Sequence, residues 1–166
     1  MNSCLEHLRR ELESAVEGLT ASAMAKASAG KWNSAQILEH LYLTYKNTNK
    51  GIAKCLETGA PLATHATLKQ RVGTLLVVNL AYLPGGAKAP ERAVPRGMAP
   101  EEVRTTIFGE IQRMDSGLDE CERRFGAGTK IMDHPILGPL TSKQWRKFHC
   151  VHGRHHARQI RERQKL

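Results

Sequence analysis

The sequence predicts an all-α fold, a helical bundle, and three of its features carry that prediction. Four small polar residues are each followed three positions later by Glu or Gln: Ser3 with Glu6, Asn33 with Gln36, Thr67 with Gln70 and Thr141 with Gln144. In that arrangement each side chain satisfies the other's orphaned backbone N–H, which marks a helix start. Behind each start, apolar residues recur at the three- and four-residue spacing of a helix. No stretch alternates apolar and polar residues as a half-buried strand does. At 166 residues the chain fits one domain, residues 1–166, long enough to bury a core without a disulfide or a structural metal.

The first helix is expected from Ser3 to Leu19, with Leu5, Leu8, Leu12 and Val16 on one stripe. The second should run from Ser34 to Thr58, turning Ile37, Leu38, Leu41, Tyr45, Ile52 and Leu56 inward and stopping at Gly59, with Pro61 beyond. A third, Leu68 to Leu83, is almost wholly apolar from Val72 onward and is expected to be the most buried, ending at Pro84-Gly85-Gly86. Residues 84–99 then combine glycines and prolines with Lys88, Arg92 and Arg96, a composition that favours a loop. The fourth helix opens at Pro100, where a missing N–H is harmless and Glu101 and Glu102 meet the positive helix end. It should close at Phe125 before Gly126-Ala127-Gly128. A second loop, Thr129 to Leu140, leads into the fifth helix.

That last helix holds Phe148 to Gln159, with four of the chain's eight histidines. At about 100° per residue, Trp145, His149, His152, His156, Gln159 and Ile160 share one arc, with Arg146, Lys147, Arg154, Arg158 and Arg161 opposite. The solvated face is thus already occupied by cations, and the histidines look inward. His152 and His156, at i and i+4, can bring ring nitrogens to one ion; the same spacing also suits a polar interfacial helix. A site needs a third ligand, and His40, at the edge of the buried arc of the second helix, is the best placed, although a lone histidine there also fits a hydrogen-bonded core residue. His7, His65 and His155 lie off the inward faces.

Two stretches carry a resemblance. Trp32-Asn33-Ser34-Ala35-Gln36-Ile37-Leu38-Glu39-His40-Leu41, and His134-Pro135-x-x-Gly138-x-Leu140-Thr141 followed by Trp145 and His152-x-x-His155-His156-x-x-Gln159, resemble the DinB/YfiT-like superfamily of small metal-binding helical bundles. The resemblance implies an up-down four-helix bundle core with one additional helix. It also implies one divalent ion, zinc or nickel by preference and iron as a third choice, held by His40, His152 and His156. The implied chemistry is activation of a water or a thiol, as in a hydrolase or a thiol-dependent transferase, with a small anionic or thiol substrate admitted beside the 84–99 loop, and a homodimer. Glu39 is expected to point outward, leaving His149 and His134 as proton carriers. Each has a duller role open to it, His149 as a hydrogen-bond partner and His134 within the turn set by Pro135. Gln159 and Thr44 would support the ligand rings.

Composition bounds the remainder. Cys4, Cys55, Cys121 and Cys150 are far apart with no C-x-x-C pair, so four reduced thiols in a cytoplasmic protein are expected. Met1-Asn2-Ser3-Cys4 leads straight into an amphipathic segment and no apolar run approaches membrane-spanning length, so a soluble, intracellular protein is expected. A net charge of +9 attracts polyanions, which keeps a nucleic-acid-binding protein as an alternative. With few aromatic residues interleaved among the basic ones, base stacking is disfavoured. A bundle that binds metal without catalysis is a further alternative.

Overall fold

The computed structural model describes residues 1–26, 30–83 and 88–165, and these are mostly helical. They form α1 (Ser3–Val16), α2 (Ala21–Ala25), α3 (Ser34–Thr58), α4 (Leu68–Thr74), α5 (Pro100–Phe125), a hairpin of β1 (Lys130–His134) and β2 (Gly138–Thr141), and α6 (Ser142–Arg163). No described helix is long and apolar enough to cross a membrane.

Capping explains most of the boundaries. Asn33 with Gln36, Thr67 with Gln70 and Thr141 with Gln144 each form a reciprocal capping box at the head of α3, α4 and α6. The fourth expected box does not form. Asn2 caps α1 by accepting from the Cys4 N–H, and Glu6 turns instead to Arg9 and Arg10. α1 stops at Val16, short of the expected Leu19, and the short α2, capped by Thr20, follows it. α3 ends at Gly59, whose φ of 67° is the left-handed conformation that terminates a helix.

Long helices pack along one another, α3 on α5, α1 on α6, and α6 against both α3 and α5. The core between them comprises Leu5, Leu8 and Leu12 of α1, Leu38, Leu41 and Tyr45 of α3, Ile107, Ile111 and Leu118 of α5, and Ala157 and Ile160 of α6. Small residues set the closest approaches. A methyl at Gly153 of α6 would lie 2.4 Å from Leu8 Cδ1, and one at Gly117 of α5 would lie 2.7 Å from Ile52 Cγ2. Arg146, expected among the solvated cations, is buried on the far side of α6. There its guanidinium donates to Asp115 Oδ1 at 2.7 Å and pairs with Asp119 and Glu122 of α5.

Three further expectations are overturned. The apolar segment Leu68–Leu83 is neither one helix nor the most buried. α4 runs seven residues, Leu75–Asn79 continues as a π-helical turn, and Ala81 reverses the chain at φ 53°. Leu68, Val72, Leu75, Leu80 and Tyr82 are between 50% and 78% exposed, and only Val77 and Val78 are buried. An unbroken apolar run has no polar face to orient it, so composition gives its hydrophobicity but not its partner. The stop expected at Pro84-Gly85-Gly86 lies outside the described residues.

The second overturned expectation is the absence of strands. β1 and β2 pair antiparallel with His134 opposite Gly138. Five and four residues are too few for alternation to register, and Pro139 masks the second strand. The third concerns cysteine. Cys4 and Cys150 are joined as a disulfide, their Cα atoms 6.2 Å apart, because α1 lies along α6; Cys55 and Cys121 are free and buried. Spacing along a chain does not reveal such a meeting.

Candidate metal centre

The centre lies where the first two turns of α3 face the second half of α6. Asn33 and Gln36 fix the start of α3, and Ile37, Leu38 and Leu41 bury its inner side, which carries His40 to 4% exposure. On α6, Phe148, Ala157 and Ile160 anchor the face that bears His152 and His156. The Nε2 atoms of the three rings converge: His152 Nε2 is 3.2 Å from that of His40 and 3.1 Å from that of His156. One ligand atom from each ring falls within 4.8 Å of the others.

Hydrogen bonds on the far side of the rings decide the proton positions. His40 Nδ1 lies 2.7 Å from the carbonyl oxygen of Ala93, and His156 Nδ1 lies 2.7 Å from Gln159 Oε1. Both oxygens only accept, so each neutral ring carries its hydrogen on Nδ1 and turns a bare Nε2 inward. The Gln159 amide completes the pattern by presenting its Nε2 to His155 at 3.0 Å. His152 Nδ1 is sealed from solvent without a partner among the described residues. Burial holds the imidazolium forms off: it pushes His156 down to about 3, aided by nearby His40, lowers His40 against the opposing Ala93 bond, and, with His156 and His40 alongside, holds His152 well below its ordinary value.

Such a donor set fits a divalent ion. Two nitrogens at 2.0–2.1 Å from one ion, set at a tetrahedral angle, stand about 3.3 Å apart, close to the separations of 3.1 and 3.2 Å seen here. A histidine ligand must be a neutral imidazole, and its second nitrogen is generally held by an acceptor. His40 and His156 meet both conditions. The aromatic wall is Phe148, stacked on His152 with ring centroids 5.3 Å apart, and Trp32, 5.1 Å from His40.

Other residues singled out from the sequence lie elsewhere or act differently. His149 is fully buried, with Nε2 3.0 Å from Thr48 Oγ1, its ring stacked on Trp145, and burial pushing it down to about 3. His134 Nδ1 accepts the backbone N–H of Ile136 and Leu137, both at 3.1 Å, and closes the hairpin turn; burial pushes it down to about 4. Among the described residues, neither hydrogen-bonds to the three converging nitrogens. Thr44 donates to the backbone carbonyl of His40 at 2.8 Å rather than to a ring. His7 pairs with Glu11 on the surface, and His65 is exposed.

Glu39 reverses its expectation. It is 2% exposed, and its carboxylate accepts the backbone N–H of Arg96, Gly97 and Met98 at 2.7, 3.0 and 3.1 Å. The outer side of α3 is covered there by the segment that precedes α5, a cover that no periodicity announces. A carboxylate set among Ile37, Leu38 and Leu41 was the available signal. Ala93, whose carbonyl fixes His40, carries none.

The family described as "Protein of unknown function (DUF1569)" matches residues 4–163, a span that includes every residue of the centre. No curated protein and no solved structure matches the chain.

Proposed function

The chain belongs to the DUF1569 family, and from that premise we propose that it is a DinB/YfiT-like metalloprotein. On this reading α1, α3, α5 and α6 are the up-down bundle of that superfamily, and His40, His152 and His156 hold one divalent ion, zinc or nickel before iron. One observation carries the proposal: three imidazole Nε2 atoms from two distant segments converge, with hydrogen bonds that leave at least two of them bare. Three neutral nitrogen ligands suit these metals.

When bound, the ion supplies Lewis acidity, lowering the pKa of a coordinated water or thiol so that it reacts as an anion near neutral pH. The chain's own contribution is orientation and exclusion. Ala93 and Gln159 fix the tautomers, and Phe148 and Trp32 keep two of the rings from turning. A small substrate would enter beside the segment that precedes α5, and the activity is a hydrolase or thiol-dependent transferase reaction. Glu39 is committed to backbone N–H groups and His149 to Thr48, so neither serves as a general base, and the reaction relies on the activated nucleophile itself. The polyanion-binding alternative is weakened by charge pairing: Arg9 and Arg10 meet Glu6, and Arg123 and Arg124 meet Glu120, within their own helices.

Untagged protein loaded with zinc or nickel and freed of excess should retain about one ion per chain. His40→Ala, His152→Ala and His156→Ala should each reduce that to background by elemental analysis. Retention by one variant would remove that residue from the ligand set, and a wild-type protein that retains none of the three metals would end the proposal.

A further inference from the structure

Next to the ligand His40 is a buried carboxylate that no cation approaches within ion-pairing distance among the described residues. Glu39 places Oε1 on the Arg96 N–H and Oε2 on the N–H groups of both Gly97 and Met98. Three successive backbone N–H groups turned to one anion form a nest, and a residue in the left-handed region is what curves them inward. Gly97, at φ 88°, supplies that curvature. A carboxylate so deeply buried is costly to desolvate unless it is hydrogen-bonded, and charge-assisted bonds of this kind are the strong ones.

The same strap carries Ala93. Ala93 ends a single 3-10 turn, Glu91–Ala93, and only Val94 and Pro95 separate it from the nest. Proline fixes its own φ and restricts the residue before it, so the short link between the nest and the Ala93 carbonyl is stiff. We infer that Glu39 is a positioning residue: by gripping residues 96–98 it holds the Ala93 carbonyl on His40 Nδ1 and so selects the tautomer that leaves His40 Nε2 bare. Two adjacent side chains of α3 thus hold the strap, one as anchor and one as beneficiary. The consequence for metal affinity rests on the ligand set proposed above; the consequence for the tautomer does not.

Glu39→Gln separates anchoring from bulk. An amide has one oxygen where the carboxylate uses both, so its NH2 group must face at least one backbone N–H. Nitrogen-15 spectra of the metal-free protein should show His40 wholly as the Nδ1–H form in the wild type and as a mixture of both tautomers in E39Q. Zinc affinity in E39Q should fall about 10–100-fold, the loss typical when a partner behind a metal ligand is removed. A residue that merely stabilised the fold would lower the melting temperature and leave the His40 tautomer untouched.

Gly97→Ala provides a second route that leaves α3 alone. A Cβ there meets nothing within 4 Å, so only the backbone is strained, and the same tautomer mixing should appear. A His40 that stays wholly Nδ1–H in both variants, or, where the wild type binds zinc, an E39Q affinity within twofold of it, would overturn the inference. Should the wild type bind no metal, the ligand set fails while the tautomer comparison still decides the role of Glu39. Should both variants fail to fold, hydrogen exchange in the wild type decides it: the amides of Arg96, Gly97 and Met98 should be protected, and free exchange at all three would refute the anchor.

Discussion

The inner face of α3 against α6 and its outer face under the segment that precedes α5 together bury histidines, a glutamate and a threonine, whereas the Leu68–Leu83 segment leaves leucines in water. His40, Glu39, His149 and Thr48 are each under 10% exposed, while Leu68 and Leu80 are 78% and 65% exposed. The difference shows that burial here follows partners rather than polarity. Glu39 has three N–H donors, His40 a carbonyl, and His149 and Thr48 each other. A buried polar group with its hydrogen bonds made costs little, and of these four side chains His149 alone keeps a ring nitrogen, Nδ1, without a partner among the described residues. Leu68, the one leucine of α4, and Leu80, just beyond the turn, stay exposed; among the described residues α4 meets β2, and the turn after it reaches α6.

Acid should break the comparison most strongly, from the buried side. The unfolded chain takes up protons on its histidines near the ordinary value of 6.5, whereas burial holds His134 to about 4 and His149 to about 3. Their folded values lie below their unfolded ones, so the stability they contribute is complete above pH 6.5 and is lost as pH falls from 6.5 toward 3–4. Each such histidine costs about 1.4 kcal/mol per pH unit within that window. The metal-free protein should therefore lose several kcal/mol between pH 7 and pH 5, measured by urea unfolding. A midpoint that does not move over that range would mean that these histidines already reach water.

Leucine truncation should show the same contrast from both sides. Leu38→Ala removes a fully buried side chain of α3 and should cost about 2–5 kcal/mol. Leu80→Ala, at 65% exposure, should change stability by no more than about 0.5 kcal/mol. A Leu80→Ala loss of about 2 kcal/mol would show that the apolar face is covered in solution, and its dependence on protein concentration would reveal whether a second chain covers it.

The sequence made the helical skeleton legible because capping boxes and helical spacing are local: α3 has the predicted ends, and α5 starts at Pro100 as its proline and acids require. The candidate centre was legible for a related reason. His152 and His156 meet through a single helical turn, and His40 sits at a fixed angle from the apolar stripe of α3. What escaped depends on the meeting of segments that no period relates. Ala93 is an unremarkable residue until its carbonyl meets His40, Glu39 points away from the core until a strap covers it, and Cys4 and Cys150 are 146 residues apart. The apolar run from Val72 to Leu83 failed for the opposite reason. Its hydrophobicity was plain, but without a polar face nothing local said which side, if any, would be covered.

Two glycines give the smallest expected effect and the sharpest internal control. Both are helical, so alanine gains intrinsic helix propensity at each, about 1 kcal/mol in the absence of contacts. At Gly153 of α6 the added methyl would lie 2.4 Å from Leu8 Cδ1 and 2.9 Å from the Tyr45 hydroxyl, inside the core. Two buried side chains must shift, and overpacking of that kind costs about 1–3 kcal/mol, so Gly153→Ala should be destabilising overall. At Gly73 of α4 the nearest atom is Leu137 Cδ2 at 3.4 Å, ordinary contact with a side chain on the hairpin turn. Gly73→Ala should therefore be neutral or stabilising by up to about 1 kcal/mol. Thermal melts of the two variants should move in opposite directions, with Gly73→Ala at or above the wild type. A loss at Gly73 equal to that at Gly153 would mean that α4 is packed as tightly as α6, and the contrast between the two regions would not survive.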